Sequence, residues 1–417
     1  MRILFLTDNF PPEGNAIASR VYERACYWIK AGHEVTVITS VPNFPEGKVY
    51  PGFKNKFYQT ESMDGIRVVR VKTFIAKNKG IVLRTLDFLS YVVPALLAGL
   101  VEKKPDVVIA TTPHLFIGFT AYLLTALKRV PFILEVADIW PASIVGVGAM
   151  HKNPLIKMLE KLELFLYKHA TSIVVLTEAF KTNLVSRHVP ADKITTVING
   201  VDTSKYFPVP YDSELAHQLE IPKDKFVIGY LGTHGMAHAL MNVLHTAELL
   251  ASNPHILFLF VGAGAERDDL MAYAKQKQLP NVKFFPAQPK HTMPNLWSLC
   301  NVALVHLKND PVFAEVIPSK IFEAMGMGLP IILAAPKGEA SAIITHEKVG
   351  TWVAAEAPAD LAEAVLQMVE QPELCLQYAQ KSQQSAYHYS RQRQATEMLA
   401  VIETTLANTA LRAESKI

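Results

Sequence analysis

The chain has 417 residues, half of them hydrophobic and 19% charged, with a formal net charge of +3. That balance excludes a disordered chain, and the length predicts two α/β domains rather than one core. The charge is unevenly spread: Lys48 to Lys104 holds eleven Lys or Arg against four acidic residues, a basic excess of seven that favours an anionic partner. The three cysteines, Cys26, Cys300 and Cys375, have no paired spacing for zinc and point to a reducing cytoplasm.

In chain order, "RILFL" reads as a buried first strand, because four apolar residues before Thr7 are too few for a signal-peptide core. The loop "NFPPEGNA" turns tightly on two prolines and Gly14, and Asn15 is placed to cap the next helix. Gly14 also permits close approach of a ligand to the backbone. In that helix Ile17, Val21, Ala25, Trp28 and Ile29 share a face, and Gly32 stops it before the strand "EVTVITS". Phe88 to Val101 runs fourteen residues without a charge. A bilayer span takes about 20 residues, so this run is expected to be a core helix of the first domain beside a solvated basic face.

The runs "DVVIA", "FILEV" and "SIVVLT" have the β-branched and aliphatic content of buried parallel strands. At the end of the second of them, "EVADIWPAS" places Glu135 and Asp138 beside Trp140. Carboxylates after a buried strand are costly without a task, and Asp138 is the candidate for a cleft role.

After "INGVDTSKYFPVP" the pattern restarts with "KFVIGYL", "ILFLFVG", "VKFF", "VALVH" and "IIL", marking a second α/β domain after a linker near Asn199 to Pro210. Two doubly wound domains facing one another create a cleft, with ligands beyond the carboxyl ends of the strands. In the loop "YLGTHGMAH", Gly232, Thr233, His234 and Gly235 form a candidate phosphate turn. Its glycines free the backbone, and His234 or His238 is a candidate donor. "VGAGAER" imitates a dinucleotide motif, but Arg267 stands at its third glycine position and the motif is not on its domain's first strand.

In "AEVIPSKIFEAMGMG", seven residues separate Glu315 from Glu323. Pro318 and Ser319 are placed to start a short helix whose free N–H groups suit an anion, and Lys320 adds a cation. Glu323, four residues after Ser319 on the same face, can accept from a sugar hydroxyl pair. No Asp-x-Asp occurs, so phosphate charge is expected to be met by helix N-termini, lysine and histidine. Each loop also has a plainer reading: an ordinary turn, a solvated strand end, surface histidines, or an exposed Lys320/Glu323 pair.

Glu315 and Glu323, followed by "AMGMGLPII", resemble the E-x7-E motif of retaining glycosyltransferase family 4. "FPPEGNA", "AGHEVTVIT", "PDVVIA", "DIWPAS", "VINGVD" and "YLGTHGMAH" match in family order over roughly residues 1 to 335. "VPNFPEGK", "DIWP" and "PSKIFE" are most similar to the bacterial surface-polysaccharide subgroup, which includes N-acetylfucosamine transferases of O-antigen, capsule or colanic-acid assembly. The resemblance implies an α/β GT-B fold of two Rossmann-like domains, residues 1–203 for the acceptor and 204–384 for the nucleotide sugar. Residues 385–417 would then carry a helix that crosses back to the N-terminal domain.

The resemblance further implies that Glu315 touches donor-sugar hydroxyls, that Ile317, Pro318 and Ser319 lie where the backbone holds the diphosphate, and that Glu323 holds the ribose. Gly14 matches the glycine that approaches the diphosphate from the other domain. The family's Arg and Lys after the first strand of the second domain are replaced here by histidines, and Lys320 is the candidate substitute. His114, after "IATTP", is the candidate acceptor-side histidine, with Glu135 and Asp138 the nearest polar alternatives.

The expected partners are a UDP-sugar donor, an undecaprenyl-pyrophosphate-linked sugar acceptor and an anionic membrane surface. No cofactor, metal or nucleic acid is expected. A cytoplasmic enzyme, peripheral on the inner face of the plasma membrane, follows. The rivals are a UDP-sugar epimerase of the same architecture and a catalytically silent nucleotide-sugar-binding scaffold.

Overall fold

The aliphatic runs form two sheets in the computed structural model, which describes residues 1–44, 46–75, 81–146, 148 and 153–414. The first sheet contains β1 (Arg2–Leu6), β2 (Glu34–Ser40), β3 (Tyr58–Met63), β4 (Ile66–Val71), β5 (Val107–Thr111), β6 (Phe132–Val136), β7 (Ser172–Val175) and β8 (Ile194–Thr196). Their order is β3-β4-β2-β1-β5-β6-β7-β8, and only the β3–β4 pair is antiparallel. Helices cover both faces, which is why β5 and β6 are buried at every position.

The β3–β4 hairpin is absent from the sequence-based expectation, because β3 alternates exposed and half-buried residues instead of forming an apolar run. Its signal was the dipeptide Asp64-Gly65, whose φ angles of 50° and 83° make the tight turn that matches strand twist.

The second sheet contains β9 (Phe226–Leu231), β10 (Ile256–Val261), β11 (Val282–Phe285), β12 (Val302–His306), β13 (Ile331–Ala334) and β14 (Gly350–Val353). All pairings are parallel, in the order β11-β10-β9-β12-β13-β14. In each sheet the winding reverses at the first strand. β1 lies between β2 and β5, and β9 lies between β10 and β12. Such switch points splay successive loops apart at the carboxyl ends, so the loops after β1 and β9 are where ligands fit.

The described residues fall into two compact units. The first is drawn from Met1–Val145, Met150–Ile198 and Arg391–Ile417, the second from Gly146–Ala149 and Asn199–Ser390. The divisions at Ile198 and Ser390 lie a few residues from the expected 203 and 384. The last helix, Arg391–Glu414, belongs to the first unit because it completes that unit's core. Ala395, Met398, Val401 and Ile402 join Val21, Ala25 and Trp28. The Trp28 indole donates to the Ala395 carbonyl at 3.0 Å, and Arg391 pairs with Glu23 at 2.9 Å.

The expectation of a core helix over Phe88 to Val101 is corrected. The helix spans Ile81–Val101 and buries one face only. Tyr91, Ala95 and Ala98 are buried, and Gly99 approaches the helix Leu115–Lys128 so closely that a Cβ there would lie 2.6 Å from Leu124. Leu83, Leu86, Leu89, Val93, Leu97 and Leu100 are exposed. At 100° per residue they fall within about 120° of the helix circumference. No described helix is long and apolar enough to cross a membrane.

Of the nearby basic residues, Lys54, Lys56, Lys72, Lys103 and Lys104 are exposed. Arg67 and Arg70 are instead paired with Glu102 and Glu61. Lys77 and Lys79, counted in the basic stretch, lie outside the described residues.

Candidate active site

In the second unit the loop after β9 is shaped by its own glycines and by those of the loop after β10. Gly232 has a φ of +148°, and a Cβ there would lie 3.0 Å from Lys320 Nζ. A Cβ on Gly262 would lie 1.8 Å from the Gly232 carbonyl, and one on Gly264 would lie 2.1 Å from the His234 carbonyl. The glycines of "VGAGAER" thus let two loops close-pack. The Thr233 carbonyl accepts from Tyr230 Oη at 2.7 Å, while the Thr233 side chain is exposed. Gly235 is half-buried.

The expectation that the His234 ring donates to a phosphate is corrected. The ring is fully buried against Tyr230, Phe260 and Phe284, and neither nitrogen has a hydrogen-bond partner among the described residues. Burial, with Arg267 and Lys320 nearby, lowers its pKa to about 4, so the imidazole is neutral near pH 7. His238 and His306, the latter not singled out in the sequence, each donate from Nδ1 to the other's carbonyl, at 3.3 and 2.7 Å. What the β9 loop presents is backbone and the Thr233 side chain, not an imidazole.

The cation is Lys320. It opens the helix Lys320–Gly326 and is buried, with Nζ 3.6 Å from the Tyr230 ring centroid and no hydrogen-bond partner among the described residues. Burial lowers its pKa to about 7, against the opposing pull of Glu323. Ser319 precedes the helix without a side-chain cap bond. The carbonyls of Pro318 and Ser319 accept from Ile321 at 3.1 Å and Phe322 at 3.1 Å. Ile317, Pro318 and Ser319 are half-buried.

Glu315 ends the 3₁₀ helix Pro311–Glu315 after β12 and is half-buried. Asp310 caps that helix, and Gly338 allows it to pack, since a Cβ there would lie 2.0 Å from the Ala314 carbonyl. Glu323 sits in the first turn of the next helix and receives the amine of Lys290, a residue that nothing in the local sequence marks.

In the first unit, Asn15 caps the helix Ala16–Lys30 by accepting from Ala18 N–H at 2.9 Å, and its amide donates to Asn9 Oδ1 at 2.7 Å. Gly14 is exposed, and a Cβ there would meet nothing within 4 Å. Sequence reasoning missed Glu13. Its buried Oε1 accepts from the N–H groups of Asn43 and Phe44 at 2.7 and 2.8 Å, tying the loop after β2 to the loop after β1. Burial pushes this carboxyl up to about 7, although the two N–H bonds oppose the shift. The only local signal was a carboxylate between Pro-Pro and Gly14.

The loops after β5 and β6 meet at Thr112, whose hydroxyl accepts from Ala137 N–H at 3.0 Å and donates to the Asp138 carbonyl at 3.2 Å. His114 caps the helix Leu115–Lys128, with Nδ1 accepting from Ile117 N–H at 3.2 Å and the ring 4.0 Å from that of Phe88. Asp138 is half-buried and accepts from Ser143 Oγ at 2.8 Å. Burial raises its pKa.

Glu135 is corrected as a ligand contact. It lies inside β6, fully buried, with Arg24 at 2.7 Å and Arg20 at 3.6 Å. Burial disfavours its charge, but the two guanidiniums hold its pKa near 2. Among the described residues no group of three or more His, Cys, Asp or Glu is placed to hold a metal ion.

Two Rossmann-like units, each a doubly wound α/β sheet, are the architecture of the GT-B fold. Residues 15–200 match the glycosyl transferase 4-like domain and residues 212–385 the glycosyl transferases group 1 family. The chain belongs to the group 1, family 4-like glycosyltransferases. It is 26% identical over 343 residues to WcaI of Escherichia coli (strain K12), a glycosyl transferase named for colanic acid biosynthesis, covering 80% of this chain and 83% of that one. It is 26% identical over 272 residues to the glycosyltransferase WbjE of Pseudomonas aeruginosa, covering 64% of this chain and 67% of that one.

The fold is similar to sucrose-phosphate synthase from Thermosynechococcus elongatus, with a TM-score of 0.79 at 16% identity over 98% of this chain and 99% of that one. It is also similar to Anabaena HepE in complex with UDP-glucose, with a TM-score of 0.70 at 18% identity over 96% of this chain and all of that one.

Proposed function

We propose that the protein moves a sugar from a UDP-sugar to a hydroxyl of an undecaprenyl-pyrophosphate-linked saccharide during bacterial surface-polysaccharide assembly. N-acetylfucosamine or a related amino sugar is the donor group we favour. The observation that carries this reading is Lys320, an amine enclosed beside the glycine turn without a hydrogen-bond acceptor among the described residues. A buried amine without a hydrogen-bond acceptor is costly to keep charged, and an arriving diphosphate would supply both the acceptor and the countercharge. Glu315 would then contact the donor sugar, the Ile317 to Ser319 backbone and Lys320 the diphosphate, and Glu323 the ribose. Gly14 would approach the same diphosphate, and Asn15 and His114 would shape the acceptor side.

Support for the pathway comes from WcaI, named for colanic acid biosynthesis, and from a Bacillus subtilis glycosyltransferase named for teichuronic acid biosynthesis. Support for the nucleotide comes from HepE, which was crystallised with UDP-glucose.

In the retaining reaction the departing phosphate oxygen takes the acceptor's proton on the face it leaves. Charge on that oxygen is met by backbone N–H groups and Lys320, so no metal is required. A second reading, inversion with Asp138 as base, is favoured by the raised pKa of that carboxyl.

The exposed apolar face of the helix Ile81–Val101 and the exposed lysines that flank it in sequence support peripheral attachment to an anionic inner leaflet. Such a surface attracts each Lys or Arg by about 1 kcal/mol.

The test is a screen of UDP-sugars for thermal stabilisation, followed by turnover of the hits with a lipid-pyrophosphate acceptor. NMR of the product's anomeric configuration separates retention from inversion. A new UDP-sugar formed without acceptor would establish an epimerase instead, and UDP binding without any turnover a silent scaffold.

A further inference from the structure

Glu323 is held by residues from two other segments of the second unit. Lys290, which opens the 3₁₀ turn Lys290–Thr292 after β11, places Nζ on Glu323 Oε1. The same amine lies 5.5 Å from the centroid of the Tyr206 ring. Tyr206 follows β8 and is fixed by close packing, since a Cβ on Gly326 would lie 2.9 Å from both its Cβ and its carbonyl oxygen. The Glu323 side chain is 13% exposed and that of Lys290 36%, so water only partly screens the pair. Burial opposes the charge on Lys290, but Glu323 and Tyr206 outweigh it and raise its pKa above the ordinary lysine range.

A carboxylate offers two oxygens, and this pair engages Oε1. A carboxylate fixed in one rotamer binds with less ordering cost than a free one, and an acceptor aimed at a missing hydroxyl discriminates strongly.

We propose that Lys290 is a positioning residue for nucleotide recognition: by gripping Oε1 it aims Glu323 at the ribose 2′-hydroxyl of a nucleoside diphosphate and so sets a preference for ribonucleotide over 2′-deoxyribonucleotide donors. This rests on the assignment of Glu323 to the ribose. Lys290 acts through Glu323 and contacts neither phosphate nor base.

Calorimetric titration of UDP and 2′-deoxy-UDP into the wild type, Lys290→Met, Lys290→Arg, Glu323→Gln and the Lys290→Met/Glu323→Gln double variant tests it. Lys290→Met and Glu323→Gln should each weaken UDP by about 10-fold but 2′-deoxy-UDP by no more than about 2-fold. The double variant should be no weaker than either single one, and Lys290→Arg should keep most of the affinity and the discrimination.

Equal loss of both nucleotides, or additive losses in the double variant, would mean that Lys290 acts on the ligand or on folding and would overturn the proposal. Wild-type behaviour of Lys290→Met with a UDP defect in Glu323→Gln would overturn it while leaving the ribose assignment standing. Wild-type behaviour of Glu323→Gln, or failure of the wild type to bind UDP, would remove both.

Discussion

Lys320 is an amine whose pKa burial brings to about 7, so the diphosphate contact proposed for it would make donor binding a protonation event. A diphosphate favours the ammonium, so the pKa in such a complex would lie above that of the free protein. Affinity for UDP should therefore be greatest below about pH 7 and fall as pH rises from there toward the pKa of the complex. Lys320→Met should weaken UDP and flatten that dependence; titrations between pH 6 and 9 read both effects. Glu315→Ala should instead lower turnover about 100-fold, the scale of one strong transition-state contact, and leave UDP affinity intact. Equal UDP affinity in Glu315→Ala and Glu323→Ala would remove that division of roles. Glu135 belongs to a different category, because Arg20 and Arg24 enclose it. Glu135→Leu leaves two buried guanidiniums without their carboxylate and should cost about 3–5 kcal/mol in denaturant unfolding. An unchanged midpoint with lost activity would return it to the ligand-binding residues.

The helix Ile81–Val101 separates two forces that the sequence merges. Its apolar stripe would enter the leaflet, whereas Lys54, Lys56, Lys103 and Lys104 would act only on surface charge. Changing Leu86, Leu89, Val93 and Leu97 to Gln should release the protein from anionic liposomes even at low salt, with the unfolding midpoint little changed. Reversing Lys54 and Lys56 to Glu should weaken only the salt-sensitive part of the attachment. Co-sedimentation that ignores both changes would point to a soluble acceptor. Elements with a strong period were legible in the sequence: β1, β5, β6 and β9 as aliphatic runs, and the helix after Asn15 from its cap and apolar face. The β3–β4 hairpin was not, because an edge strand carries charge where a central strand carries Val or Ile. Exposure of the helix Ile81–Val101 was hidden because apolar content does not tell which side meets the sheet. Glu315, Lys320 and Glu323 could be found because they are local. Lys290, 33 residues from Glu323, and Glu13, 30 from Asn43, acquire their partners only through the fold.

At the scale of the whole molecule, each unit has its own hydrophobic core, one built on β1, β5 and the last helix, the other on β9, β10 and β12. Separate cores predict that chemical unfolding need not follow a single two-state transition. If the phosphate charge is met by backbone and Lys320, turnover should persist in excess EDTA. Complete loss restored by magnesium or manganese would contradict that account. The last helix also sets an order on biosynthesis. Trp28 waits for Ala395, 367 residues away, to cover its indole. At about 5–20 residues per second a ribosome needs roughly 20–70 s to deliver that cover. Throughout that interval the nascent first unit carries Val21, Ala25 and Trp28 without the turns that bury them, while the main segment of the second unit, Asn199 to Ser390, emerges in one stretch. The amino-terminal half is thus made first and finished last.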